Sequence, residues 1–323
     1  MRFALAGTAL SLIVATLGSA PATSADDAPP AWAFVVNPPG LKAPVDDGTP
    51  RRVPGSVRTY TLTQLRDLFG VPDWHPGDHP AMPESVAQGR KPGAFACGFC
   101  HLPNGLGRPE NASLAGLPAD YIVQQVADFK SGARKSSEAR SLPVNLMIAT
   151  AQAAADGDVR SAAEYFAALS PRPWIRVVES ASVPTPTVAG WMLVAATPAG
   201  TEPIGQRIVE MPEDLERTEL RDSLSGFIAY VPPGSLEKGR RLVTTGDQDR
   251  TVACSLCHGA DLKGLGPVPS LAGRSPSYIV RQLHDLRNGA RNGRWAALMK
   301  RVVVKLTDED IVSIAAYTAS LAP

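Results

Sequence analysis

The stretch Cys97-Gly98-Phe99-Cys100-His101 decides the reading of this chain, and it returns 157 positions later as Cys254-Ser255-Leu256-Cys257-His258. All four cysteines of the 323 residues fall in these two copies, so none is left over. Two structural disulfides, or one zinc ion held by both pairs, would also use four cysteines. Neither needs a His directly after each second Cys, and a zinc ribbon wants roughly 15–20 residues between its pairs. Here 153 intervene. With this composition an accidental copy is expected on the order of once in a thousand such chains, so two copies are not accidental. Cys-x-x-Cys-His is the attachment signature of c-type haem: two thiols one helical turn apart add to the vinyl groups of the porphyrin, and the His is held beneath the iron. Two covalent haem c groups per chain are therefore expected, on Cys97 and Cys100 and on Cys254 and Cys257, with His101 and His258 as proximal iron ligands.

Far more than the pentapeptide is repeated. At the offset of 157, Leu114-Ala115-Gly116 matches Leu271-Ala272-Gly273, and Tyr121-Ile122-Val123 matches Tyr278-Ile279-Val280. Gln125, Asp128 and Arg134 likewise match Gln282, Asp285 and Arg291. Beyond that point the offset drops to 152, and Met147 pairs with Met299, Tyr165 with Tyr317 and Leu169 with Leu321. One unit has been duplicated. Each copy reads as helical, with a short helix on the Cys-x-x-Cys-His and amphipathic helices over 119–131 and 277–288. Closing helices are expected over 157–169 and 307–321, the second opened by the cap and first-turn acids Thr307-Asp308-Glu309-Asp310.

A methionine in register with each haem marks Met147 and Met299 as the candidates for the distal iron position. Met82, Met192 and Met211 fall outside the repeats, and His284 lies opposite Ala127. Arg134 and Arg291, repeated in register, are candidates to face the haem propionates.

On these residues both units resemble class I cytochrome c domains, and their tandem order resembles the dihaem cytochromes of the c-four type. The resemblance covers residues 89–171 and 236–323, just over half of the chain. It implies that Met147 and Met299 reach the irons opposite His101 and His258, and that such a protein shuttles single electrons in the periplasm between dehydrogenases, membrane cytochrome complexes and oxidases. Two departures stand out. Pro269 precedes Ser270-Leu271-Ala272-Gly273 as the family pattern expects, whereas Ala112 takes its place in the first unit. The carbonyl partner of His101 is then expected from Pro109 or is lost. The second departure is the long segment between the units.

The chain thus divides into a secretory leader at 1–25, a Pro-rich extension at 26–88, a first cytochrome domain at 89–171, a small β-rich insert at 172–235 and a second cytochrome domain at 236–323. The fold class is mainly α, two class I cytochrome c domains in tandem with that insert between them. The leader reads from Met1-Arg2, an apolar run to Gly18, and no acidic residue before Asp26. In the extension a helix is expected over 62–69, capped by Thr61 and stopped by Gly70. His75 and His79 are four apart, but Pro76, Gly77 and Pro80 break any helix that would pair them on a metal, leaving a loop packed over the first haem edge. In the insert the runs 174–178, 188–195, 206–211 and 227–231 predict a sheet of three or four strands, with a helix or loop in the acidic run 212–222. Trp174 and Trp191 read as core residues. The insert is expected to fix the angle between the units or to form a partner site.

Without the leader, 31 basic residues balance 31 acidic ones, which excludes nucleic acid as a partner. The balance is uneven, for residues 236–323 hold 13 Lys and Arg against 8 Asp and Glu. That makes the second unit the basic end of the molecule. His/Met pairs raise the reduction potential and leave no open iron position, so an electron carrier is expected rather than an enzyme. Two alternatives stand beside it: an electron-transfer subunit of a periplasmic dehydrogenase complex, and a dihaem peroxidase-type enzyme that would need an open or unusual ligand position. An alkaline pyridine haemochrome assay with protein quantitation should return two thioether-linked haems per chain, and a value of one or none would end this reading.

Overall fold

The computed structural model describes residues 28–248 and 250–323, so the leader expected at 1–25 lies outside the described residues. Along the chain the elements are α1 (Leu62–Leu65), α2 (Glu84–Ala87), α3 (Cys97–His101), α4 (Ala119–Lys130), α5 (Leu142–Ala153) and α6 (Asp156–Ala168). Strands then take over: β1 (Ile175–Glu179), β2 (Ser182–Pro184), β3 (Pro186–Ala189), β4 (Met192–Ala195), β5 (Thr201–Pro203) and β6 (Val209–Pro212), followed by α7 (Leu215–Glu219) and β7 (Phe227–Val231). The chain closes with α8 (Ser235–Thr245), α9 (Ser255–His258), α10 (Pro276–Arg287), α11 (Ala296–Val303) and α12 (Asp308–Ser320).

The helices that periodicity predicted, α4, α6, α10 and α12, fall within a residue of their expected bounds, and two of them carry chemical punctuation at their starts. The Thr307 side chain caps α12 by accepting from Asp310 N, and the Asp310 carboxylate returns the bond to Thr307 N. Ser275 caps α10, with Pro276 at its first position. The helix expected over 62–69 is shorter. Thr61 does form its capping box, with Gln64. The helix ends at Leu65 because the Asp67 carboxylate accepts from Phe69 N and draws the backbone into a turn.

Between α6 and α8 the strands form three ladders rather than one sheet of three or four strands. β1, β7 and β6 make one sheet, with β1 parallel and β6 antiparallel to β7. β3 and β4 make a hairpin, so the single run expected over 188–195 is two strands. Gly190 and Trp191 turn it with φ of 56° and 64°, and the positive angle at Trp191 is what hid this turn from the pattern. β2 and β5 form the third ladder; each is three residues long and ends in Pro, too short and polar for an alternation signal.

One face of β7 spans both hydrophobic cores. Phe227 packs with Ile122, Ala162, Tyr165, Phe166 and Trp174 in the first core. Ala229 and Val231, two and four residues on along the same face, pack with Leu242, Ile279, Ile311 and Ala315 in the second. Trp174 adds a polar tie, its Nε1 donating to Gly273 O at 3.2 Å. Trp174 is therefore core, as expected.

The two units differ at their opening helices. In the second, α8 crosses α12 at Gly239, where an added Cβ would lie 2.0 Å from Ser313 O and 2.7 Å from Tyr317 Cβ. The residue 157 positions before Gly239 is Met82, ahead of the first unit and between Pro80 and Pro83, and only the one turn of α2 forms there. Gly239→Ala should lower the unfolding free energy by about 1–3 kcal/mol, the usual cost of overpacking a close crossing. Urea unfolding followed by far-ultraviolet circular dichroism measures it, and an unchanged midpoint would contradict this crossing.

Candidate haem-binding site

The first pentapeptide forms α3, and the second forms α9 with Cys254 as its N-cap, so a single turn brings each pair of thiols and its imidazole together. The His101 Nδ1 lies 2.8 Å from Ala112 O, and the His258 Nδ1 lies 2.7 Å from Pro269 O. With the Nδ1 proton given to a carbonyl, the Nε2 lone pair of each ring is left for a metal. The loops that supply these carbonyls are copies of one another. Gly107 N donates to His101 O at 2.9 Å and Gly264 N to His258 O at 2.8 Å. The expected loss or replacement of the first carbonyl partner is corrected: Ala112 supplies it, because the acceptor is main chain and needs no proline. The Pro109 carbonyl instead accepts from the Arg281 guanidinium.

Burial pushes both imidazoles below their ordinary pKa, which favours the neutral, ligating form. The same burial raises the Cys97 thiol to about 12 and the Cys254 thiol to about 11. One continuous cavity of about 450 Å³ is lined by Cys97, Cys100, His101 and Met147 and also by Cys254, Cys257, His258 and Met299. Apolar side chains such as Leu114, Ile122, Phe129, Leu271, Ile279 and Leu283 complete its walls. An apolar slot with thiols, a carbonyl-oriented imidazole and a thioether side chain in each half is a donor set that fits haem c. Met147 is carried on α5 and Met299 on α11, helices that the sequence reading had not assigned.

Arg134 and Arg291 meet in an antiparallel bridge at the junction of the two halves. Each reaches across. The Arg134 guanidinium donates to Tyr278 Oη at 3.0 Å and Gln282 Oε1 at 2.8 Å, and to Gln125 Oε1 at 2.9 Å. The Arg291 guanidinium donates to Tyr121 Oη at 2.8 Å and Gln125 Oε1 at 2.9 Å. The repeated Tyr, Gln and Arg positions of both copies thus form one network about a local twofold. Both arginines line the cavity.

Two further buried guanidiniums line it, Arg274 and Arg281, and the repeat could not reveal them because Leu117 and Gln124 stand at the matching places. Arg274 donates to Ser113 O at 2.5 Å in the first half and to Ser270 O at 2.8 Å in the second. Those carbonyls adjoin Ala112 and Pro269, the acceptors of the two imidazoles. Among the described residues none of these four arginines makes an ion pair with a carboxylate of the chain. A buried cluster of unpaired cations is costly unless anions join it, and the carboxylates of bound haem would be such anions.

Other singled-out residues lie elsewhere. His75 Nε2 is 2.9 Å from Asp222 Oδ1, and His79 Nε2 is 3.1 Å from Asp73 Oδ1. Their loop packs on the insert through Trp74, whose Nε1 donates to Leu220 O at 2.7 Å, and it does not line the cavity as expected for a loop over the haem edge. His284 is buried and meets the Phe34 ring edge-on.

No family model matches the chain. Cytochrome c-554(548) of Halomonas halodenitrificans is 43% identical over 74 residues, which is 23% of this chain and 89% of that protein. The chain belongs to the class I cytochromes c, in their dihaem form. The thiosulfate dehydrogenase electron acceptor of Thiomonas intermedia is 26% identical over 234 residues, covering 71% of this chain and 80% of its own length. Cytochrome c4 of Azotobacter vinelandii is 27% identical over 248 residues, covering 75% and 91%. A solved cytochrome c4 of Acidithiobacillus ferrooxidans aligns with 70% of this chain and 98% of its own at 23% identity and a TM-score of 0.46. With two attachment motifs, the dihaem cytochrome holds two covalent haem c groups and carries electrons.

Arg274 donates to a carbonyl in the proximal loop of each haem site of this cytochrome. Replacing it by Met removes a positive charge from beside both irons, so both midpoint potentials should fall by tens of millivolts, at about 59 mV per tenfold change for one electron. Spectroelectrochemical titration reads both couples. A fall in only one of them would mean that Arg274 serves a single site.

Proposed function

We propose that this dihaem cytochrome carries single electrons through two His/Met-ligated irons, His101 with Met147 and His258 with Met299, with thioether bonds at Cys97, Cys100, Cys254 and Cys257. The observation that carries the reading is the pair of Nδ1–carbonyl bonds, which leave each Nε2 unpaired in the cavity that Met147 and Met299 also line. Haem c supplies a one-electron couple at its iron. The chain's own residues set its terms. The carbonyls of Ala112 and Pro269 orient the imidazoles, the apolar walls exclude water, and a soft thioether favours the reduced state. Arg134 and Arg291 would receive propionates, a reading supported by their lining the cavity with no ion pair to a carboxylate among the described residues.

We assign the chain a leader at 1–25, an extension at 26–88, cytochrome domains at 89–171 and 236–323, and a β-rich insert at 172–235 that sets the angle between them. Periplasmic residence rests on the leader; among the described residues no helix is long and apolar enough to cross a membrane. The donor is inferred to be a periplasmic dehydrogenase. Two relatives bear the name of a thiosulfate dehydrogenase electron acceptor, which favours a place within or beside such a complex. The acceptor would be a membrane cytochrome complex or oxidase.

Met147→Ala and Met299→Ala should each abolish the absorption band of low-spin Met–iron in one haem of the oxidised protein and lower that haem's potential. Both haems should remain attached. Persistence of the full band in either variant would remove that Met from the iron.

A further inference from the structure

The two haem sites are copies in sequence and in loop geometry, yet their outer faces are not alike. Leu256 and Leu265 in the second unit are 72% and 63% exposed. Their counterparts at the offset of 157 are Phe99 and Arg108, 5% and 7% exposed. The whole turn 102–109 is buried, whereas most of 259–266 is open.

The insert makes the difference. Its segment 218–223 lies over α3, with the Arg221 guanidinium 3.7 Å above the Phe99 ring and donating to Phe99 O at 2.8 Å. Arg108 donates to Thr218 O at 3.2 Å, Arg172 donates to Ser223 O at 3.0 Å, and Asn104 also donates to Ser223 O. Trp74 fixes Leu220 O from the other side. With so many of its carbonyls held, this cap is a permanent part of the fold. Because one short segment touches both Phe99 and Arg108, their counterparts Leu256 and Leu265 share one face in the second unit.

That face is open and apolar, and it belongs to the basic segment 236–323. Val252, Cys257, Pro267 and Leu298, all exposed, line the cavity, so its mouth in the second unit opens among them. On and beside α11, the helix that carries Leu298, Arg294, Lys300, Arg301 and Lys305 are exposed, and among the described residues none of them is in an ion pair. The segment 236–323 carries five more basic than acidic residues, 13 against 8.

We propose that the second unit alone docks the soluble redox partner, a one-electron protein with an apolar contact patch ringed by carboxylates, and that residues 218–223 close the equivalent face of the first unit. The first haem then exchanges electrons with that partner only through the second. The proposal rests on the chain being an electron carrier and adds which of two equivalent faces is used. Charge complementarity sets the partner's sign, because opposite potentials steer encounter and like ones repel.

Reduced flavodoxin, an acidic one-electron flavoprotein, is a usable probe with the full holoprotein. Its second-order rate of reducing the cytochrome in stopped flow should fall as salt rises. The double charge reversal Lys300→Glu with Arg301→Glu should lower that rate at low salt by about ten-fold and flatten the salt dependence, while Arg52→Glu, on the N-terminal extension, should leave it unchanged. In a nitrogen-15 amide titration of the wild-type protein, line broadening by flavodoxin should fall in 252–305. An unaltered rate in the double variant, an equal loss with Arg52→Glu, no broadening, or broadening at 97–110 or 218–223 would each overturn the proposal. Reversible reduction by dithionite reports separately on electron carriage, so lost docking with intact reduction strikes the docking face alone.

Discussion

A hydrogen bond from an imidazole Nδ1 to a main-chain carbonyl eleven residues downstream is made twice in this molecule, and the rest is arranged to hold it. It fixes the tautomer and the ring plane together, so Nε2 points to one place. The loop that delivers the carbonyl is tightly wound. Gly107 has φ of 69°, and a Cβ there would lie 2.8 Å from Ala112 O; Gly264 has φ of 96°, and a Cβ there would lie 2.8 Å from Val268 O. What the site needs is therefore the shape of the loop, which the glycines allow. The residue that owns the carbonyl is free to change from Pro269 to Ala112.

The second constraint is charge. Arg134, Arg274, Arg281 and Arg291 are taken out of water around one cavity, and burial pulls the Arg274 pKa down to about 10. Their protons are distributed over main-chain carbonyls, amides and tyrosine hydroxyls, with no carboxylate of the chain in an ion pair with any of them among the described residues. Neutral acceptors stabilise a guanidinium less than an anion does, so the cluster suits a cavity that receives acidic groups. Because each donor crosses to the other copy, the charge also joins the two units.

Duplication would give two equivalent units, and the insert breaks that equivalence. Its β7 carries one apolar face across both cores, fixing them relative to each other. Its acidic run, folded as α7 and the turn after it, covers the first motif helix. The Pro-rich lead-in adds to this, since Trp74 and His75 pack on the same turn.

Much of this was legible in the chain itself. The pentapeptides and the repeat in register named every thiol, both imidazoles and both methionines, because covalent attachment and ligation demand particular atoms at particular spacings. Amphipathic periods and caps placed α4, α6, α10 and α12 because those signals are local. The hairpin turn at Trp191, the ladders of three residues and the end of α1 at Leu65 were not legible, for each depends on backbone geometry that residue type only permits. Arg274 and Arg281 escaped because their importance lies in joining loops more than a hundred residues apart, and no repeat marks them. The sequence by itself determined two covalent haem sites and named the residues proposed to ligate them. Only the tertiary structure decided how those sites share one cavity, which cations surround it and which face stays open, since all three arise from contacts between segments distant along the chain.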